Sequence, residues 1–226
     1  MIKLKTMSRL VISTITLVIL FHFISSCKIQ NGEPKNQKEK EKEVIQEKKR
    51  SQKSEKKGEP FDILSRFVST GWMGDGHQGP RYVRLFEAWK QNPHSEPVCV
   101  QVTYTPGSQG WAGIYWQNKP DNWGDQPGQN FQKAGYKKLT LWARGDKGGE
   151  IVEFKAGGIN APGKRYRDSF EVSIGKIILK KEWRQYTIDL EGEDLSSVIG
   201  GFCWVAASSS NPEGLTFYID DVYYEF

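Results

Sequence analysis

The sequence predicts an all-β domain, an antiparallel β-sandwich or jelly roll of about nine strands, and three observations carry that prediction. After Pro60 the chain breaks into short apolar or alternating runs. The breaks carry turn chemistry: Thr105-Pro106-Gly107, Gly145-Asp146-Lys147-Gly148-Gly149, Ala161-Pro162-Gly163 and Asn211-Pro212-Glu213-Gly214. No window sustains a helical period.

In chain order, strands are expected at residues 81–88, 98–104, 111–117, 137–144, 150–156, 176–179, 185–190, 199–206 and 216–225. Residues 169–173 or 194–197 are suited to a single helical turn. Side chains on a strand alternate between its faces. Leu139, Leu141 and Ala143 therefore share one side, and Thr140, Trp142 and Arg144 the other. Val152, Phe154 and Ala156 face a core, while Glu153 and Lys155 face away with Ile151. Tyr186, Ile188 and Leu190 face in. A Trp on a face otherwise made of Thr, Arg, Glu and Lys is only half explained by packing.

The chain has 226 residues, with 8 Trp, 9 Tyr, 11 Phe and 23 Gly, but only 3 Cys and 3 His. That excludes a disulfide scaffold, a Cys/His-rich zinc protein and a chain disordered throughout. The net charge of +5 is unevenly spread. Residues 61–226 carry 18 basic and 20 acidic side chains, so the excess of positive charge precedes the domain. No basic patch of the kind that holds nucleic acid stands out there, and no nucleic-acid partner is expected.

Residues 1–26 read as an export leader: Lys3, Lys5 and Arg9, then an apolar run from Leu10 to Ile24, then small residues. Ile24-Ser25-Ser26-Cys27 resembles the bacterial lipobox, with Ile where Leu is more usual. The resemblance implies diacylglycerol on the Cys27 thiol and further acylation such as palmitate, with cleavage leaving Cys27 as the N-terminus. Each buried acyl CH₂ contributes about 0.8 kcal/mol to membrane attachment. An uncleaved membrane anchor and a plain signal peptide are the alternatives. Lys28 rather than Asp after the cysteine implies, by the same resemblance, the outer membrane or cell surface. Residues 27–60 then form a charged tether, as in Lys38-Glu39-Lys40-Glu41-Lys42-Glu43, too polar to offset its ordering entropy. The domain spans 61–226.

Catalytic motifs are scarce. There is no phosphate loop, no dinucleotide fingerprint and no Gly-x-Ser-x-Gly elbow. A glycosidase needs only two carboxyl groups, so composition leaves one open. Glu150 and Glu153 lie three apart on a strand, hence on opposite faces. The chain is expected to be non-catalytic. Cys99 and Cys203 both sit in apolar strands, and either a disulfide or two buried thiols fits.

The stretch Gly110-Trp111-Ala112-Gly113-Ile114-Tyr115-Trp116-Gln117 and the segment Trp183-Arg184-Gln185-Tyr186-Thr187-Ile188-Asp189-Leu190 carry a family pattern, completed by Phe217-Tyr218-Ile219-Asp220-Asp221-Val222. Together they resemble the galactose-binding-like jelly-roll domains of bacterial carbohydrate-binding modules, over roughly residues 81–226. The resemblance implies a glycan partner and a structural Ca²⁺ held by Asp220 with Glu87. It implies sugar contact through aromatic platforms and polar side chains, with Tyr115, Gln117, Trp123, Asp125, Trp142, Arg144, Glu153 and Lys155 as candidates. Trp111, Trp116, Trp183 and Trp204 are expected to pack in the core, whereas exposure and packing suit Trp123 equally. The competing expectation is a structural or protein-binding envelope or adhesion module that binds no sugar.

Overall fold

The computed structural model describes residues 58–226. The expected leader, Cys27 and nearly all of the tether lie outside the described residues. Among the described residues no helix is long and apolar enough to cross a membrane.

Two antiparallel sheets form the domain. The strands are β1 (Phe61–Asp62), β2 (Val68–Gly74), β3 (Val83–Trp89), β4 (Cys99–Tyr104), β5 (Trp111–Gln117), β6 (Lys138–Gly145), β7 (Ile151–Gly157), β8 (Glu171–Ile178), β9 (Arg184–Asp189), β10 (Gly200–Ala207) and β11 (Leu215–Glu225). The first sheet runs β3-β4-β11-β6-β9, with β1 paired to β11; the second runs β2-β5-β10-β7-β8. Helix α1 (Ile63–Arg66) is a single turn capped by Asp62, whose carboxylate accepts from the Ser65 amide at 3.2 Å.

The period of two builds the core. Ala112, Ile114 and Trp116 of β5 face inward, as do Phe202, Trp204 and Ala206 of β10. Val152, Phe154 and Ala156 of β7 join them from the second sheet. The first sheet supplies Val100 and Val102 from β4, Leu139, Leu141 and Ala143 from β6, and Phe217 and Ile219 from β11. Rings interlock across the gap: Trp204 meets Phe217 edge-on at 5.4 Å, and Phe154 meets Tyr186 at 5.9 Å. Fully burying each large apolar side chain stabilises the fold by about 1.5–3 kcal/mol.

The sandwich has two more strands than expected, β1 and β2. In β2, Val68-Ser69-Thr70-Gly71-Trp72-Met73-Gly74 mixes glycines with hydroxyls, and only Trp72 packs against the main core. As an edge strand paired to β5 alone, it needs no continuous apolar face. The expected strand at 176–179 is the end of a longer one, because β8 begins at Glu171. Residues 169–173 therefore run into a strand rather than a helical turn, and 194–197 form a loop. Gly175 at φ +71 and a register shift opposite Glu153/Lys155 interrupt the alternation that would have marked β8 as one unit.

After β2 the chain makes a 3-10 turn (Asp75–Gln78). Asp75 is fully buried and is the anchor of that turn. Its carboxylate accepts from the Tyr104 hydroxyl at 2.9 Å, the Gly107 amide at 2.9 Å and the Gln109 amide at 2.8 Å. Burial pushes this carboxyl up, but those donors outweigh it and hold it below the usual carboxylate range. Its folded value is depressed, so its contribution is present above about pH 4 and is lost as pH falls below that. Asp75→Ala is expected to lower stability by about 2–4 kcal/mol in urea unfolding, since a buried hydroxyl and two part-buried amides lose their acceptor. The variant should also show a weaker loss of stability in acid than the parent.

Candidate functional site

With Ala112, Ile114 and Trp116 committed to the core, Trp111, Gly113, Tyr115 and Gln117 must face outward on the second sheet. Across the strands, Gly113 lies between Met73 of β2 and Val205 of β10, and Val205 pairs in turn with Glu153 of β7. The neighbouring row holds Gly71, Tyr115, Cys203, Lys155 and Ser173.

Part of this face is sealed by a second small core. Tyr115, Ile159, Ile199 and Cys203 are buried together, with Met73, Trp123, Tyr166 and Val205 packed on them. The Tyr115 hydroxyl donates to the Gly157 carbonyl at 3.0 Å, and burial pushes the phenol far up. Gln117 is fully buried; its Oε1 accepts from Thr70 Oγ1 at 2.8 Å and its Nε2 donates to the Asn122 carbonyl at 2.9 Å. Tyr115 and Gln117 thus hold the floor together and have little surface left for a guest. Their polar groups looked available in sequence because their partners, Thr70 on β2, Gly157 at the end of β7 and Asn122 in the loop after β5, are brought to them only by the fold.

The loop after β5 is held by Asn122, itself buried. Asn122 Oδ1 accepts from the amides of Gly124 at 3.1 Å and Gln126 at 3.0 Å, and its Nδ2 donates to Asn118 Oδ1 at 2.9 Å. Gly124 sits at φ +109, where an added Cβ would come within 2.3 Å of the Tyr166 carbonyl. This fixes Trp123, which meets Tyr115 edge-on at 6.2 Å. Asp125 is ion-paired with Lys164 at 2.6 Å on the facing loop.

The open end of the face is a groove of about 610 Å³ lined by Met73, Gly74, His77, Gln78, Gln109, Trp111 and Trp123. Trp111 is 37% exposed, which corrects the expectation that it packs in the core. Trp116 and Trp204 are fully buried, and Trp123 and Trp183 are half-buried. Two indoles and a thioether offer apolar contact, while Gln78, Gln109 and His77 offer hydrogen bonding. Sequence reasoning missed Met73, His77, Gln78 and Gln109; the signal was the Trp72-Met73 pair, whose alternation puts one side chain on each face of β2. Farther along the same face, Glu153 accepts from Ser173 Oγ at 2.6 Å and Lys155 is ion-paired with Glu171.

Trp142 and Arg144 lie elsewhere. They project from the outer face of the first sheet, so the thickness of the sandwich separates them from the groove. Trp142 stacks on His94 at 3.8 Å with 16° between the rings. The Arg144 guanidinium lies 3.7 Å from the Tyr218 ring centre and 5.3 Å from that of Trp183. These stacks stabilise the face by cation–π and aromatic contact.

Asp220 anchors the β3–β4 loop against the same sheet. Its Oδ2 accepts from the amides of His94 and Ser95, both at 3.0 Å, and its Oδ1 accepts from the Asp221 amide at 2.9 Å. Burial pushes its carboxyl up against the pull of those amides. Glu87 and Asp220 line one cavity with Asp62 and Asp221. Among the described residues, however, no three acidic, His or Cys side chains converge as a metal site. Both Asp220 oxygens already face N–H donors, so this donor set does not match what calcium takes. Nearby, Ser95 Oγ donates to Asp221 Oδ2 at 2.6 Å, and Asp221 also meets His94 Nδ1 at 2.6 Å. Serine and histidine thus share one carboxylate oxygen, which makes a clasp and not a nucleophile–base relay.

Cys99 and Cys203 are free and buried. Cys99 is on β4 of the first sheet and Cys203 on β10 of the second, each outside the main core. With stacked sheets spaced about 10 Å apart, thiols on opposite outer faces cannot bridge, so the disulfide alternative is corrected. Burial pushes the Cys99 thiol up to about 11.

No family model matches this chain, and no curated protein sequence matches it. Among solved structures it is similar to the family 11 carbohydrate-binding module of the cellulosomal cellulase Lic26A-Cel5E of Clostridium thermocellum. That pair is 12% identical over 74% of this chain and 94% of the other, with a TM-score of 0.49. A second structure is the family 11 module from the same organism in complex with a β-1,3-1,4-mixed-linked tetrasaccharide, at 13% identity, 73% and 92% coverage and a TM-score of 0.48. A family 30 carbohydrate-binding module is similar at 13% identity, 74% and 94% coverage and a TM-score of 0.47.

Asp168 pins the segment that covers this face. Its carboxylate accepts from the amides of Ile159 at 2.7 Å, Gly200 at 3.2 Å and Ile199. Burial pushes its carboxyl up to about 7, against the downward pull of those amides and with help from Glu171. The folded state then holds a proton that the unfolded chain releases near pH 4, so stability falls as pH rises from about 4 to 7. Asp168→Asn is expected to flatten that part of a Tm-against-pH curve. An unchanged slope would mean that another group is responsible.

Proposed function

We propose that this chain is a non-catalytic surface lipoprotein that binds a carbohydrate or glycan-bearing polymer through the outer face of the second sheet. The observation that carries the reading is the groove lined by the exposed Trp111 and the half-buried Trp123 beside Met73, Gln78, Gln109 and His77. A sugar ring has an apolar C–H face, which packs on an indole, and a rim of hydroxyls, which amide side chains bond. No Asp or Glu lines this groove. A carboxylate pair of the glycosidase kind is therefore missing from it, in keeping with binding without hydrolysis. A groove of this volume is in the range of ordinary small-ligand sites.

Attachment to the envelope is the second half of the proposal. Cys27 would carry the acyl chains, and the charged segment to residue 60 would space the domain from the bilayer, at the outer membrane or cell surface. Acyl attachment needs no membrane-crossing helix in the domain.

Two experiments test these halves. Calorimetry against mixed-linked β-1,3-1,4-glucan, β-1,4-glucan, xylan and mannan, with and without calcium, should give saturable binding to at least one. Trp111→Ala and Trp123→Ala should each weaken it about tenfold, equivalent to about 1.4 kcal/mol, while Trp142→Ala leaves it unchanged. Absence of binding across the panel, or loss through Trp142→Ala alone, contradicts the reading. Separately, cells fed an alkyne-tagged palmitate should label the parent chain and not Cys27→Ala; equal labelling of both would place the lipid elsewhere.

A further inference from the structure

We propose that the free edge of β3 is a self-association surface, on which a second copy of this chain pairs its own β3 antiparallel about a two-fold axis at Leu85. This is independent of the glycan-binding reading above.

Four strands edge the two sheets: β3 and β9 in the first, β2 and β8 in the second. Among the described residues the exposed large hydrophobic side chains are Val68, Phe86, Trp111 and Ile178. Val68 opens β2, Ile178 closes β8, and Trp111 is on the inner strand β5. Of these, Phe86 alone sits in the middle of an edge strand, and it is 52% exposed. The β9 edge, by contrast, exposes Arg184, Gln185, Thr187 and Asp189. An exposed ring at the centre of an open edge invites another strand, which most folds avoid.

The backbone sets how that strand pairs. Arg84 lies opposite Thr103 of β4, Leu85 opposite Val102 and Phe86 opposite Gln101. In the same register the Thr105 amide donates to the Tyr82 carbonyl at 2.7 Å, so those two form a hydrogen-bonded pair. Bonded and non-bonded pairs alternate along an antiparallel ladder. Arg84 and Phe86 therefore spend their N–H and C=O on β4, and Leu85 turns its own to the open edge. With the two-fold axis at Leu85, the two copies of that residue exchange both bonds, and Arg84 of each copy lies directly opposite Phe86 of the other. Both side chains are exposed on the outer face, and no Asp or Glu lines the groove of about 710 Å³ beside them. Each guanidinium is thus free to lie on the facing ring, twice per dimer. The same sheet already contains such a cross-strand pair: Arg144 lies opposite Tyr218, with its guanidinium 3.7 Å from the ring centre. Sliding one strand by two residues would set Arg84 against Arg84 in one direction and Phe86 against Phe86 in the other, losing the match. The register shift between Phe86 and Trp89 ends the regular edge, so the pairing is short and the dimer weak.

The test is sedimentation of the whole chain in a mild non-ionic detergent, from about 1 to 500 μM, where monomer should give way to dimer as concentration rises. Phe86→Lys sets like charges opposite each other and should abolish the dimer; Phe86→Glu replaces the cation–π pair with an ion pair and should keep it. The side chain is exposed, so both variants should keep the parent's far-UV circular dichroism. Register is read separately by mixing Arg84→Cys with Phe86→Cys under copper–phenanthroline, the oxidant that takes two electrons from each facing thiol pair. The facing positions have Cα atoms about 4.5 Å apart, within disulfide reach, whereas each position is out of reach of its own counterpart. The mixture should therefore cross-link into a dimer, and neither variant alone should. A monomer throughout the concentration range, a dimer that responds alike to both charged variants, or a mixture that cross-links no better than its components overturns the proposal.

Discussion

The period of two along β5 is the constraint on which the rest depends. Once Trp116 and Ile114 are driven into the gap between the sheets, Trp111, Tyr115 and Gln117 have no choice of side. A slip of one residue would bring out the whole buried set, at roughly 1.5–3 kcal/mol for each large side chain, so the register is strongly held. The outward set is then treated unevenly. Loops reach over Tyr115 and Gln117, and Thr70 of β2, Gly157 of β7 and Asn122 satisfy their polar groups, whereas nothing comparable reaches Trp111. The open end of the face is what the cover leaves uncovered.

That cover depends on a few buried polar anchors. Asp75 and Asp168 gather backbone amides from segments distant in sequence, Asp220 does the same on the opposite sheet, and Asn122 gathers those of its own loop. Burying such groups is unfavourable unless each finds its partners, and here several N–H donors converge on one side chain. Loops that would otherwise be mobile become walls. Asp75 matters most to the groove because it sets the turn bearing His77 and Gln78, while Asn122 sets Trp123.

How much was legible in the sequence follows from which forces are local. The alternation of Leu139, Leu141 and Ala143, or of Val152, Phe154 and Ala156, reports burial directly, and the inward faces agree with it. β2 escaped notice because an edge strand with one core-packing side chain needs no pattern. The site was only partly legible. Tyr115 and Trp142 look alike in sequence, each an aromatic residue on a half-polar strand face. Strand order puts β5 and β6 in different sheets, and no local signal encodes that. The Asn122–Asp125 loop left exposure and packing of Trp123 equally open, and the indole does some of both, half-buried on Tyr115 while it lines the groove. Cys99 and Cys203 were undecidable for the same reason as Tyr115 and Trp142: pairing depends on sheet membership.

The most direct test of the central claim follows the indole N–H signals of the eight tryptophans by NMR while a bound oligosaccharide is titrated in. If the open end of the second sheet is where the guest sits, the Trp111 and Trp123 signals move with the binding curve, while those of Trp142 and Trp183 stay still. Movement of Trp142 and Trp183 instead, or saturation with every indole unmoved, would contradict it.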